Sequence, residues 1–166
     1  MHIARYLFAL CFATGIVTQA AAGPTVDKGT LARGKYLVAT SGCNDCHTAG
    51  YPESGGKLPE AEWLTGNAVG FSGPWGTSYP ANLRLTAQSM SLDGWIARAR
   101  SEMRPPMPWF SLRDMSNADL GAIYHYIRSL GARGPVAPAY VPPGQRVATP
   151  YIDFVPKNPP RQVSAR

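Results

Sequence analysis

The sequence predicts an all-α fold: a bundle of about four short helices, a loop-rich middle and a proline-rich C-terminal tail. Three segments repeat apolar residues at helical spacing, and each is followed by a residue that ends helices. Two cysteines one helical turn apart supply the fourth helix. No stretch alternates apolar and polar residues for long enough to predict a β-sheet.

The first helix is predicted over residues 27–40, with the sequence DKGTLARGKYLVAT. Leu31, Gly34, Leu37 and Val38 form its apolar stripe, and Ser-Gly ends it. A glycine inside a helix lowers its stability unless another part of the chain must come close to the backbone there. This glycine therefore predicts a close contact between two helices.

The motif Cys43-Asn44-Asp45-Cys46-His47 follows directly and has the C-x-x-C-H pattern that attaches a c-type haem. Two thiols at this spacing can each add to one vinyl group of the haem, forming two thioether bonds. The imidazole of His47 then lies beneath the porphyrin, where it binds iron as the proximal ligand. We therefore expect one haem c, attached through Cys43 and Cys46.

Two other chemistries use a C-x-x-C pair. A thioredoxin-like redox pair opens the helix of a βαβ unit, and the surrounding sequence has no such alternation of strands and helices. A zinc site needs four ligands, and the sequence offers no second Cys/His pair to complete them. Haem attachment is the interpretation that agrees with the rest of the chain.

An export signal is predicted over residues 1–22. One arginine precedes an apolar run over residues 6–17, and small residues then match an A-x-A cleavage site, with cleavage expected after Ala22. The run is shorter than the roughly 20 residues that span a bilayer, and an uncleaved anchor is the alternative. Cys11 leaves with this segment. We expect export to the periplasm.

The net charge restricts the class of partner. It is +6 at pH 7, with the histidines counted as neutral. A net positive charge of this size suits an acidic protein partner or the anionic lipids of a membrane surface. It is equally typical of an ordinary solvated surface. Export excludes nucleic acid as a partner.

Residues 48–81 contain glycine and proline at short intervals, which predicts loops. So much irregular chain is unusual in a small domain, unless a cofactor supplies the apolar core that the loops wrap. Trp75, Tyr79 and Asn82 can donate hydrogen bonds, and we expect them at the haem propionates. The other aromatic side chains of this stretch are expected to pack in the core.

A distal ligand to iron is predicted on the stretch MRPPMP, residues 103–108. Its prolines cannot continue a helix, so the loop is stiff and extended. A methionine thioether placed opposite a histidine suits haem iron and raises its reduction potential. Met107, which lies between prolines, is the predicted ligand, and Met103 is the alternate. His125 would give a bis-histidine haem, but its position within a helix favours a surface or core role.

Two more helices are predicted, over residues 89–102 and 116–130. Ser91 and Ser116 are their expected N-cap residues, and Gly131 ends the second helix.

Repeated prolines beyond this point predict an extended tail rather than a second domain. The chain is thus divided into the signal (1–22), the folded domain (23–131) and a proline-rich extension (132–166). Five apolar residues give the extension enough hydrophobic surface to lie along the domain: Tyr140, Tyr151, Ile152, Phe154 and Val155.

These elements together resemble a class I cytochrome c over residues 27–131. The resemblance rests on a helix leading into C-x-x-C-H, a loop-rich middle, PPMPW at 105–109 and a C-terminal helix. It implies an all-α fold wrapped around one haem. It also implies that the first and last helices cross at close range, through Gly34 on one helix and Ile123 with Tyr126 on the other.

The resemblance implies a function as well, with His47 and Met107 as the two axial ligands. The stretches at 73–83 and 105–130 look closest to cytochromes that serve as electron-transfer subunits or partners of periplasmic dehydrogenases. We expect a one-electron carrier between redox proteins, with a dehydrogenase as donor or an oxidase as acceptor. Filled axial positions keep substrates from iron, so neither enzyme activity nor a small-molecule substrate is expected.

Two other functions stay open. One is a subunit that stays docked to a dehydrogenase. The other is a haem protein with a labile distal ligand that reacts with gases or peroxide.

Overall fold

A computed structural model describes residues 26–158 of the chain; the predicted signal, residues 1–22, and the last residues of the extension, 159–166, lie outside the described part. The described part is mostly helical, and the predicted all-α class is confirmed. It contains six α-helices and a short 3₁₀ turn at Glu60–Glu62. The helices are α1 (Lys28–Thr40), α2 (Cys43–His47), α3 (Leu83–Gln88), α4 (Leu92–Arg100), α5 (Trp109–Asp114) and α6 (Asn117–Ser129).

The predicted helix starts are confirmed at three caps. Asp27, Ser91 and Ser116 each accept a hydrogen bond from the backbone N–H three residues later, in the first turn of α1, α4 and α6. Such bonds satisfy an N–H group that has no partner within the helix. Beyond the C-terminus of α6, Gly131 adopts φ = 73°, a left-handed conformation that favours glycine and stops the helix.

The helices α1 and α6 cross at Gly34, as the sequence predicts. A Cβ atom at Gly34 would lie 2.1 Å from the carbonyl oxygen of Ala122 and 2.6 Å from Cβ of Tyr126. Tyr126 is thus a contact as expected, while Ala122 rather than Ile123 is the nearest residue. The core is built around this crossing, from Leu37, Val38, Trp63, Leu64, Ala87, Trp95, Ala99, Leu120, Ile123, Tyr124, Tyr126 and Ile127.

The expectation that the chain forms no sheet was wrong. Strands β1 (Gly70–Gly73), β2 (Gly76–Ser78) and β3 (Tyr151–Asp153) form a small sheet in the order β2-β1-β3. The first two strands make an antiparallel hairpin, and β3 pairs with β1 in parallel. The strands are three or four residues long, and β1 and β2 contain glycine. They are too short for an alternating pattern to be visible in the sequence.

Two helices were also absent from the sequence prediction. Both α3 and α5 have six residues, less than two turns, which is too short for a helical repeat to stand out. The bundle therefore has six α-helices rather than about four. Among residues 26–158, no helix is both long enough and apolar enough to cross a bilayer.

The extension lies along the domain as expected, but most of its apolar side chains stay in solvent. Tyr140 is half-buried, whereas Tyr151, Ile152, Phe154 and Val155 are 42–53% exposed. The ring of Phe154 packs at an angle against Phe71, with the ring centres 5.5 Å apart. The extension thus contributes strand β3 to the sheet and leaves apolar side chains exposed on and next to that strand.

Candidate functional site

Helix α2 brings the three motif side chains together within five residues. Gly42 separates α2 from α1 and has φ = 71°, so the chain turns sharply between the two helices. Cys43 and Cys46 are free thiols, both half-buried. Burial raises the pKa of Cys43 to about 11. The thiols are thus one turn apart and partly protected from solvent.

His47 is only 9% exposed, and its ring orientation is set by one hydrogen bond. Nδ1 lies 2.7 Å from the carbonyl oxygen of Ala81. Because a carbonyl can only accept, Nδ1 must carry the proton, which leaves Nε2 with a free lone pair. Burial lowers the pKa of His47, while the bond to Ala81 works in the opposite direction. The imidazole is therefore kept neutral, with Nε2 ready to bind a metal.

A second set of bonds fixes the C-terminal end of α2 to the loop that follows. Backbone N–H of Leu64 donates to Oγ1 of Thr48 (2.7 Å), and that hydroxyl donates to Oδ1 of Asn44 (2.8 Å). Backbone N–H of Gly66 donates to the carbonyl of His47 (2.8 Å). Leu64 is fully buried at φ = 62°, a conformation that costs a bulky residue energy and is held by these contacts.

Met103 and Met107 lie on the loop between α4 and α5, which we call the methionine loop (residues 101–108). Both side chains are half-buried, so burial does not rank one above the other. Backbone N–H of Met107 donates to the carbonyl of Arg104 (3.3 Å), which makes a turn. Oγ of Ser78 donates to the carbonyl of Pro105 (2.5 Å). The loop is therefore attached to strand β2.

The far end of the methionine loop is held by Arg100. Its guanidinium donates to the carbonyls of Leu112 (3.1 Å) and Met115 (2.8 Å), and to Oδ1 of Asn117 (2.7 Å). A further bond reaches the carbonyl of Arg113. These acceptors include the last carbonyls of α5, so one side chain of α4 fixes the helix that follows the loop.

The three residues predicted at the propionates all have partners within the chain. Nε1 of Trp75 donates to the carbonyl of Phe71 (3.3 Å), and the hydroxyl of Tyr79 lies 2.6 Å from Oγ1 of Thr149. Nδ2 of Asn82 donates to two carbonyls, those of residues 133 and 135, at 2.7 and 3.0 Å. Its Oδ1 caps α3. A propionate bond from Asn82 would require one of its two existing bonds to break.

His125 lies on α6 away from these groups. It is half-buried and borders a surface cleft of about 730 Å³, together with Leu92, Tyr124 and Arg128. Its ring packs against that of Tyr124, with the ring centres 5.3 Å apart. This position agrees with the surface or core role favoured by the sequence.

The donor set fits a covalently attached haem. Cys43 and Cys46 would form the thioethers, and the unprotonated Nε2 of His47 would bind the iron. Within the described residues, no three His, Cys, Asp or Glu side chains gather as a metal cluster. The methionine loop contains two further soft donors, the thioethers of Met103 and Met107.

The sequence prediction missed the groups that support this set. The carbonyl of Ala81 orients His47, but a backbone group has no side-chain signature. Thr48 joins α2 to the next loop, and its place directly after the motif is a signal that could have found it. Ser78 and Arg100 hold the methionine loop through bonds to carbonyls, which the sequence cannot reveal.

Comparisons with known proteins agree with this chemistry. A family model described as "Cytochrome c" matches residues 31–131. The chain is 27% identical over 110 residues to a subunit of nicotinate dehydrogenase from Pseudomonas putida. That match covers 60% of this chain and 8% of the relative, so the chain spans a small part of the relative's length. No solved structure matches the chain at a significant level.

Proposed function

Because the chain belongs to the cytochrome c family, we propose that it carries single electrons between redox proteins on one haem, bound through Cys43 and Cys46. The observation that carries the proposal is the bond from His47 Nδ1 to the carbonyl of Ala81 (2.7 Å). It holds the imidazole in the tautomer that a metal needs. The haem, when bound, supplies an iron that cycles between ferrous and ferric states.

The axial ligands we propose are His47 and Met107. His47 is buried and fixed in orientation, so it changes little when the charge on iron changes. Met107 lies on a loop stiffened by prolines, so its thioether loses little entropy on binding. With both positions filled by the chain's own residues, the iron is closed to substrates. The protein would then act as a carrier rather than as an enzyme.

We place the carrier in the periplasm. The support is the sequence of residues 1–22, which has the charged start, apolar run and small-residue cleavage site of an export signal. An exported cytochrome meets its redox partners outside the cytoplasm. A dehydrogenase donor or an oxidase acceptor is the class of partner we propose.

A docked subunit is the second candidate, and one feature of the surface favours it. An apolar patch is exposed on and next to strand β3, formed by Tyr151, Ile152, Phe154 and Val155. Such patches often mark interfaces between proteins. The similarity to a dehydrogenase subunit suggests a dehydrogenase as the partner. Purification from the native host distinguishes the two candidates. A stoichiometric dehydrogenase complex supports the subunit, and a free monomer supports the carrier.

The ligand assignment is tested by absorption spectra of the exported protein, oxidised and reduced. We expect low-spin haem with a methionine-to-iron charge-transfer band that disappears in Met107→Ala. Met103→Ala is the matched control, four residues earlier on the same loop, and it should keep the band. Loss of the band in Met103→Ala alone would reassign the ligand. A high-spin wild-type spectrum with rapid carbon monoxide binding would contradict the carrier and favour a gas-reactive protein.

A further inference from the structure

The C-terminal extension is bonded to residues 70–82 at several places along its length. At the start of the extension, Nδ2 of Asn82 donates to the carbonyls of Arg133 and Pro135. Next, Thr77 and Val141 exchange two backbone hydrogen bonds of 2.8 and 3.0 Å. Finally β3 pairs with β1. We call the segment 133–154 the strap.

The strap lies tightly against strand β2. Gly76 has φ = 93°, and a Cβ atom there would lie 2.4 Å from the carbonyl oxygen of Val141. Backbone atoms at this distance leave no room for a side chain, so the strap and β2 are in direct backbone contact. Movement of the strap would therefore move β2.

The same part of the strap contacts the methionine loop. The guanidinium carbon of Arg104 lies 4.0 Å from the ring centre of Tyr140, well within the range of a cation–π interaction. The hydroxyl of Tyr140 donates to the carbonyl of Trp75 (2.6 Å) in the β1–β2 turn. On the other side, Ser78 donates to the carbonyl of Pro105. The loop is thus joined to both the strap and β2.

From these contacts we infer that the strap positions the methionine loop, with Tyr140 and Arg104 as the positioning residues. The inference rests on the proposed function, because it takes Met107 on that loop as the distal ligand. Tyr140 is held at its hydroxyl and presents its ring to Arg104. A loop held in this way opens less often, so the thioether leaves the iron less often.

Two measurements test the inference on the holoprotein. Hydrogen exchange of the peptide covering residues 104–110 reports loop opening without reference to the iron, and exchange in α6 serves as an internal reference. The rate at which added imidazole replaces the methionine reports opening at the ligand, through loss of the charge-transfer band.

We expect Tyr140→Leu to raise both rates about tenfold, because it removes both the cation–π contact and a hydrogen bond. Arg104→Gln removes only the cation–π contact and should raise them about threefold. Tyr140→Phe keeps the ring and loses the hydroxyl bond, so it should raise them about threefold. Tyr151→Leu is the matched control. This tyrosine belongs to the same strap but pairs with Gly70, and both rates should stay within about twofold of wild type.

The outcomes separate the two proposals. If the wild-type spectrum lacks a methionine band, the ligand assignment fails, while hydrogen exchange still tests the strap. If the Arg104 and Tyr140 variants fold and leave exchange over residues 104–110 at the wild-type rate, the strap inference is overturned. A rise that is equal in α6 and in the loop also overturns it, since that result means general destabilisation.

Discussion

The two sides of the candidate haem site are built in different ways. On the His47 side, the thiols and the imidazole lie within five consecutive residues, and α1 leads directly into them. On the Met107 side, the methionine loop is held by Ser78 and Tyr140, which lie 27 and 36 positions away from Pro105 and Arg104. The difference shows that one proposed axial ligand depends on a local motif, and that the other proposed ligand depends on contacts between distant parts of the chain.

The His47 side is also packed against the more deeply buried part of the fold. Helix α2 follows α1, and α1 crosses α6 at a contact that only glycine permits. The Met107 side has surface contacts instead, because Arg104 is exposed and Tyr140 is half-buried. Burial makes interactions harder to open locally. We therefore expect changes at the crossing to affect global stability, and changes at the strap to affect the loop.

The largest predicted effect is that of Gly34→Ala at the crossing. The new methyl group would overlap a backbone carbonyl 2.1 Å away, and a backbone group cannot rotate out of its path. We expect the free energy of unfolding to fall by about 3 kcal/mol or more. Urea denaturation followed by circular dichroism measures the change.

Gly121→Ala is the matched control for this prediction. Gly121 is also helical and buried, but a Cβ atom there would lie 3.8 Å from Leu92, an ordinary contact. Alanine at that position should stabilise α6 by about 0.5–1 kcal/mol. Equal losses in the two variants would contradict the close crossing at Gly34.

The same contrast explains which parts of the molecule could be predicted from the sequence. Ser91 and Ser116 were predicted as caps because a cap bonds to the first turn of its own helix, and Asp27 was predicted only as the start of the first helix. The helix contact at Gly34 was predicted because a glycine inside a helix lowers its stability unless another part of the chain comes close to the backbone there. Strand β3 was not predicted, because its partner lies about 80 positions earlier and neither strand has a pattern of its own.

An intermediate effect is predicted for Asn82→Ala, which tests whether the strap also supports the His47 side. Asn82 is 4% exposed, caps α3 and donates to two carbonyls of the strap, next to the residue that orients His47. We expect the free energy of unfolding to fall by about 2–3 kcal/mol, since a cap and two partly buried hydrogen bonds are lost. Urea denaturation measures the loss.

Asn82→Ser separates the two roles of this side chain. A serine hydroxyl can still cap α3 but is too short to reach the carbonyls of residues 133 and 135. It should therefore recover about 1 kcal/mol of the loss. If serine restores the wild-type free energy of unfolding in full, the bonds from Asn82 to the strap contribute nothing to stability. The two sides of the site would then be independent.

The smallest predicted effect lies on the His47 side and depends on pH. Glu60 accepts from Lys35 of α1 and from the hydroxyl of Tyr126 of α6 (2.9 Å), and the bond from Lys35 is the largest cause that lowers its pKa. A carboxyl whose pKa is lower in the folded state stabilises the fold above its unfolded pKa, and the gain is lost as pH falls through the folded value. Because the ion pair is exposed, its contribution is about 0.2–1 kcal/mol.

Glu60→Gln isolates the charge, because glutamine can still accept from Tyr126. Urea denaturation should give the full difference from wild type at pH 7 and almost none at pH 3. In a Lys35→Met background, the ion pair is absent from both proteins. Glu60→Gln should then change the free energy of unfolding at pH 7 only by the difference between a carboxylate and an amide as the acceptor for Tyr126. A difference that stays constant from pH 7 to pH 3 would mean that the amide changes packing. The ion pair would then contribute nothing to the α1–α6 crossing on which the His47 side rests.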